Sequence, residues 1–217
     1  MVRAGLAFRI FILALGLGMS VLPQHADAHP HVWIDLKSQL EFGEDGRVTG
    51  LQIDWTFDEF YTAFVITESG GPEAMDQETL TGIGRENLAN LQTYGYFTEF
   101  LVDGEVQALS APETFEMELQ DGKLRLHFSV PLERPVLPKD HRINYAIFDP
   151  SYYVEILHVE DGHRLPSNSS PDGCRTVLVD SNPTVEARTL ANSLDQLDTA
   201  PESFGALFAE RVRLECD

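Results

Sequence analysis

The residues best suited to chemistry stand together at Ala26-Asp27-Ala28-His29-Pro30-His31-Val32-Trp33-Ile34-Asp35. Ala26-x-Ala28 has the form of a signal-peptidase site, and cleavage there makes His29 the first residue of the exported chain. A free α-amine, two imidazoles and a proline then share one short segment. Imidazole is the commonest protein ligand for zinc, copper and nickel, and an α-amine titrating near ~8 competes only modestly with protons at neutral pH. Pro30 has no backbone N–H, so the square-planar chelate that a free N-terminus builds from deprotonated amides is blocked at its second position. What remains is the amine and imidazole of His29, the imidazole of His31 and whatever the fold supplies. In a strand, His29 and His31 share a side, with Asp35 further along it. The candidate oxygen ligands are Asp58, Glu59 and Asp149. Asp58 and Glu59 equally suit a helix start, which carboxylates cap and whose dipole they complement. Asp149 precedes Pro150 and equally suits a turn. His158 and His163 flank Glu160-Asp161-Gly162 and are placed to meet across a hairpin, as solvated loop residues or a second metal site; His127 reads as packed in a strand.

The elements that must hold these residues are legible as changes of period. Residues 31–42 alternate, Glu44-Asp45-Gly46 marks a turn, and 47–56 alternate again, which predicts a β-hairpin. Phe57, Phe60, Tyr61, Phe64 and Val65 follow at helical spacing, with Asp58 and Glu59 in the first turn. Residues 76–93 predict a second helix, weakened by Gly82 and Gly84. Strands are expected near 97–102, 105–109, 113–119, 124–130, 141–148 and 152–159, with Pro131, Pro135 and Pro138 marking a kinked or edge connection. After a loop at 163–173 come a short strand at 177–179, a polar helix within 184–199, and a C-terminal amphipathic helix carrying Phe204, Leu207, Phe208 and Val212. The expectation is a mainly β, α+β chain: an antiparallel β-sandwich-like domain with a small helical hairpin and a C-terminal helix.

Arg3 and Arg9 precede an apolar run from Ile10 to Leu17, so residues 1–28 read as a signal peptide and residues 29–217 as a single periplasmic domain, with a core at 29–180 and a helical tail at 181–217. The apolar run is short for a membrane span, and stable membrane insertion is not expected. The formal net charge of −20 disfavours nucleic acid and anionic lipid as partners and favours cations, besides aiding solubility. Cys174 and Cys216, the two cysteines, read as one disulfide tying down the tail. Gly-x-Ser-x-Gly, His-Glu-x-x-His and phosphate-loop motifs are absent from the sequence, and the protein is not expected to be an enzyme.

Four stretches in order, His29-Pro30-His31-Val32-Trp33-Ile34-Asp35, Trp55-Thr56-Phe57-Asp58-Glu59-Phe60-Tyr61, Tyr94-Gly95-Tyr96-Phe97 and Phe148-Asp149-Pro150-Ser151-Tyr152-Tyr153-Val154, resemble a family of exported bacterial proteins of unknown function. Its members are often described as the periplasmic component of an uncharacterised ABC-type transport system and are often encoded near nickel/cobalt efflux permeases. The resemblance covers about residues 29–180. It implies a periplasmic accessory protein linked to transition-metal transport, whose partners are a metal ion and a membrane metal permease or ABC transporter. Some relatives carry a calcium-loop-like acidic run between the helices; here residues 68–76 lack its alternating ligands, so calcium is not carried over.

The leading expectation is capture and hand-over of a divalent transition metal (nickel, cobalt, zinc or copper) by His29 and His31, with Asp58, Glu59 or Asp149 completing the shell. The rival expectations are a metal-free adaptor docking on a membrane transporter and, third, a copper enzyme built on the N-terminal histidine.

Overall fold

The computed structural model describes residues 30–163, 170–194, 200–201 and 203–217. The signal-peptide reading and His29 lie outside these residues, as does most of the 163–173 loop. The first alternating stretch forms β1 (Val32–Phe42) and β2 (Val48–Phe57), paired antiparallel from Ile34↔Phe57 to Leu40↔Leu51. Period 2 sends Val32, Ile34, Leu36, Ser38 and Leu40 inward, while Trp33 and Asp35 face water. The chain continues through α1 (Glu59–Glu68) and α2 (Gln77–Leu91), then β3 (Thr98–Val102), β4 (Glu105–Val106), β5 (Phe115–Gln120), β6 (Lys123–Val136), β7 (Ile143–Ile147) and β8 (Val154–His158). It ends with β9 (Cys174–Val179), α3 (Val185–Ala191) and β10 (Arg211–Cys216).

Two five-stranded sheets result, β5-β6-β2-β1-β8 and β4-β3-β7-β10-β9, all antiparallel except β1 with β8. Their inner faces share one core. Trp55 sits in it edge-on to Phe128, ring centroids 5.1 Å apart, and Phe100 stacks on Tyr145 at 6.3 Å. The fold is the expected α+β sandwich, with two corrections. The C-terminal segment is not a helix: Phe204–Leu207 makes one 3₁₀ turn, and β10 then inserts between β7 and β9. Val212 and Leu214 are buried and alternate with exposed Arg213, so period 2 wins over the helical spacing of Phe204, Phe208 and Val212. Nor do Pro131 and Pro135 end β6, which runs through both; Pro131 pairs with Gly50 beside a register shift in β2.

Cys174 and Cys216 are disulfide-bonded and face each other across β9 and β10. Among the described residues no helix is long and apolar enough to cross a membrane.

Candidate functional site

The start of β1 gathers all four stretches singled out in the sequence. Its parallel pairing with β8 puts Val32 beside Val154, and His31 N–H donates to Tyr153 O at 2.9 Å. The His31 ring lies against the Tyr153 ring, centroids 4.7 Å apart. On the opposite side, β2 runs into Asp58. Trp33 and Asp58 exchange bonds: Asp58 N–H donates to Trp33 O and Trp33 N–H donates to Asp58 Oδ2, both at 2.9 Å. Asp58 Oδ1 also accepts Phe60 N–H at 2.7 Å and Tyr61 N–H at 2.9 Å, capping α1.

Asp149 closes the β8 side. Although only 6% exposed, it is well served by donors. Oδ1 accepts Ser151 N–H at 2.9 Å and Ser151 O–H at 2.8 Å; Oδ2 accepts the same hydroxyl at 2.9 Å and Val154 N–H at 3.0 Å. The C-terminal 3₁₀ turn locks this loop from behind. A Cβ on Gly205 would stand 1.8 Å from Asp149 O, and Tyr152 stacks on Phe208 at 3.9 Å.

An apolar cleft of about 230 Å³ opens between these segments, lined by Trp55, Phe57, Tyr61, Phe97, Tyr153 and Val154 among others. A neighbouring cleft of about 430 Å³ shares Phe97, Tyr153 and Val154 and adds Tyr94 and Asp149. Burial pushes the Tyr61 hydroxyl above its ordinary pKa, and the Asp58 charge adds to this against a hydrogen bond to Asn87, so Tyr61 stays neutral.

Backbone strain concentrates here. Among the described residues, seven other than glycine have φ between 52° and 60°. Asp103, Asp121 and Asp161 belong to Asp-Gly turns, where a short polar side chain tolerates that region. Tyr96, Phe97 and Tyr152 are aromatic, for which it is costly, and all three belong to the stretches around the clefts.

Of the predicted ligands, His31, Asp58, Glu59 and Asp149 are brought to one end, with different fates, and His29 lies outside the described residues. His31 stands beside Tyr153. Glu59 is exposed in the first turn of α1. Asp58 and Asp149 spend their oxygens on backbone and hydroxyl donors. Among the described residues no group of three or more His, Cys, Asp or Glu side chains is placed to hold a metal.

Elsewhere, His127 is not packed in the core: its side chain is 38% exposed and its Nδ1 lies 3.3 Å from Asp54 Oδ2 on the outer face of β2 and β6. His158 and His163 do meet, edge to face at 5.9 Å, but both ring nitrogens of His158 are committed. Nδ1 lies 2.9 Å from Glu210 Oε2 and Nε2 lies 2.8 Å from Ser38 Oγ, which lies 2.9 Å from the Tyr145 hydroxyl. With Glu210 ionised, Nδ1–H donates to it, and the chain continues from Nε2 through the Ser38 hydroxyl to the Tyr145 hydroxyl.

This Ser38–His158–Glu210 chain has the hydrogen-bond order of a serine hydrolase triad, and sequence reasoning missed it because its members are scattered over β1, β8 and the approach to β10. Ser38 is 3% exposed and points between the sheets with Leu36 and Leu40. The nearest cavity, about 190 Å³, is lined by Ser38 itself with Asp161, Gly162 and the outward-facing Lys37, Gln39, Gln52 and Asp54. The Ser38 hydroxyl is nevertheless spent on His158 and on Tyr145 of the other sheet, which turns it into the sandwich and away from a substrate entering there. The chain of bonds ties the two sheets together: Ser38 and His158 belong to one, Tyr145 to the other, and Glu210 leads into it.

A cleft of about 860 Å³ lies at the far end of β3 from Phe97, among polar groups paired with one another: His141 Nδ1 is 2.7 Å from Asp103 Oδ2, and Arg213 is 3.9 Å from Glu215.

An uncharacterised protein of Haemophilus influenzae is 24% identical over 212 residues, spanning 95% of this chain and 97% of its own. The sequence pattern of DUF1007, described as a protein of unknown function, matches residues 13–216, a span that takes in all four stretches at the head of β1. The chain belongs to the DUF1007 family.

Proposed function

We propose that the protein is a periplasmic accessory of a transition-metal transport system, binding a divalent ion (nickel, cobalt, zinc or copper) at the start of the exported chain and passing it to a membrane permease or ABC transporter. The transport setting comes from the resemblance of the four stretches. The chemistry comes from His29 and His31, which offer two imidazoles and, after cleavage, an amine. The observation that carries the reading is the convergence of those stretches on the residue that follows Pro30, with the His31 backbone pinned to Tyr153 and strained aromatic residues around it. A chain start held this way presents its donors from a fixed point, which lowers the entropy lost on coordination. The disulfide fits an exported protein.

Asp58 and Asp149 are better read as the frame of this end than as ligands, because five N–H groups and a hydroxyl depend on their oxygens. The described residues supply no complete metal shell, so the reading places the ion on the N-terminal donors, with exposed Glu59 as the nearest carboxylate candidate in sequence to the Asp58 cap. Titration of the exported protein with nickel, zinc and copper tests it, alongside His31→Ala and a form with one glycine ahead of His29. The expected outcome is at least ~tenfold weaker binding in both altered proteins, the loss of a ligand or of the amine. Equal affinity in all three removes the site, and unchanged transporter association after chelation favours the metal-free adaptor.

A further inference from the structure

Helix α1 covers the edge of the core with one face only. Tyr61 stacks on Phe57 at 4.8 Å, and Thr62 Oγ accepts Leu124 N–H at 3.1 Å. The opposite face carries Phe60, Ala63, Phe64 and Thr67, spaced i, i+3, i+4, i+7 as one stripe. Phe60 is 76% exposed and Phe64 61%. A surface helix normally gives this face to polar and charged residues. Here the charged residues of α1 are Glu59 and Glu68 at its two ends, and two phenylalanines one turn apart stand in water between them.

The charge around the stripe selects its occupant. The helix carries Glu59 and Glu68 at its ends and is followed by Glu73, Asp76 and Glu78, with no Lys or Arg from residue 48 to residue 84; the cations on its packed side, flanking Leu124, are Lys123 and Arg125, and Arg125 is paired with Asp54 and Glu118. A second copy meeting this patch through a two-fold axis would set the same carboxylates against each other. An anionic lipid surface would be repelled for the same reason. Apolar contact flanked by opposite charge is what this rim complements.

We propose that the Phe60–Ala63–Phe64–Thr67 face of α1 docks a partner protein that presents an apolar patch bordered by Lys and Arg. The two phenylalanines are the anchors, since exposed aromatic side chains at the centre of a patch carry most interface energy, and the surrounding carboxylates set orientation and on-rate. The inference goes beyond metal binding and stands without it. Because α1 is capped by Asp58, which also holds Trp33, a docked partner lies at the same end as His31.

The test uses the full exported chain and two dye-labelled amphipathic peptides of one apolar pattern, one built of Leu and Lys, the other of Leu and Glu. Fluorescence anisotropy is expected to show the Lys peptide binding at least ~tenfold more tightly, with affinity falling as salt rises. Phe60→Ser/Phe64→Ser is expected to weaken it at least ~tenfold. Val185→Ser, which removes a 75% exposed side chain on α3, is expected to leave it unchanged. Phe64→Arg alone, which places a cation in the stripe, is expected to lose the Lys peptide as well and serves if the double variant does not fold. Equal binding of both peptides, equal loss in the α1 and α3 variants, or no binding overturns the proposal. So does self-association in sedimentation, or binding to phosphatidylglycerol vesicles, that the α1 variants abolish.

Discussion

Asp58 shows what a single side chain contributes at the head of β1. One oxygen caps α1 and the other holds a strand N–H, so the carboxylate fixes the helix to the sheet at the point where the ladder ends. Asp58→Ala removes all three acceptor contacts and is expected to cost about 2 kcal/mol, the upper range for a helix cap, read as a lower denaturation midpoint at unchanged slope. Asp58→Asn keeps a capping oxygen, so it is expected to recover most of that stability and to leave metal affinity unchanged. A loss of metal binding in a fully folded Asn variant would make Asp58 a ligand and overturn its reading as frame. The sequence pointed to this residue but left its job open, because a carboxylate ahead of a helix serves both uses and the choice depends on which N–H groups the fold aims at it. Asp149 was open in the same way, and four short contacts within its own loop decide it. His158 was legible as a residue that meets His163 across a hairpin, solvated or at a second metal site, but not as part of this chain of bonds, since its partners Ser38 and Glu210 stand 120 and 52 residues away.

At the scale of elements, the two glycines of α2 behave oppositely, although each reads as a helix weakener. Gly82 faces open space: a Cβ there would have no neighbour within 4 Å. Gly84 is buried against β5, and its Cβ would stand 2.8 Å from the Phe115 ring and 2.9 Å from Met117 Cβ. Gly82→Ala is therefore expected to stabilise the protein by about 0.5–1 kcal/mol through propensity and chain entropy. Gly84→Ala is expected to destabilise it by about 1–3 kcal/mol through overpacking, despite the same gain in propensity. Thermal melts of the two variants check the signs, and a shift in the same direction in both would mean that α2 does not pack on β5 through Gly84. The hairpin and the second helix of the insert were legible because each is long and periodic; the first helix was legible from the spacing of its aromatic residues, although Phe60 and Phe64 among them face water. The last strand was not: Phe204, Leu207, Phe208 and Val212 fit a helix, and only the gap between β7 and β9 makes Val212 and Leu214 a strand.

Across the whole molecule, a covalent tie within one sheet and a polar tie between the two sheets add to the core. The disulfide joins β9 to β10 and closes a loop between positions 42 apart. Its loss by Cys174→Ser/Cys216→Ser is expected to cost about 4 kcal/mol on the loop-entropy account, read as a lower denaturant midpoint. The second tie is polar, running from Tyr145 through Ser38 and His158 to Glu210. Burial acts to raise the Glu210 pKa, but the hydrogen bonds from the His158 ring and backbone N–H, with the charges of His158 and His163, outweigh it and hold the carboxyl below its ordinary value of 4.5. A carboxyl whose pKa is lower folded than unfolded stabilises the fold fully above the unfolded value and loses that contribution as pH falls through the folded one. Wild-type stability is therefore expected to fall as pH drops below about 4.5, with Glu210 supplying part of the slope. Glu210→Gln keeps an oxygen to accept from His158 but does not titrate. It is expected to be less stable than wild type at neutral pH and to show a shallower decline in acid, so the two curves converge. Melting temperatures measured from pH 7 down to pH 3 decide it: parallel curves would mean that the charge of Glu210 contributes nothing to holding the sheets together.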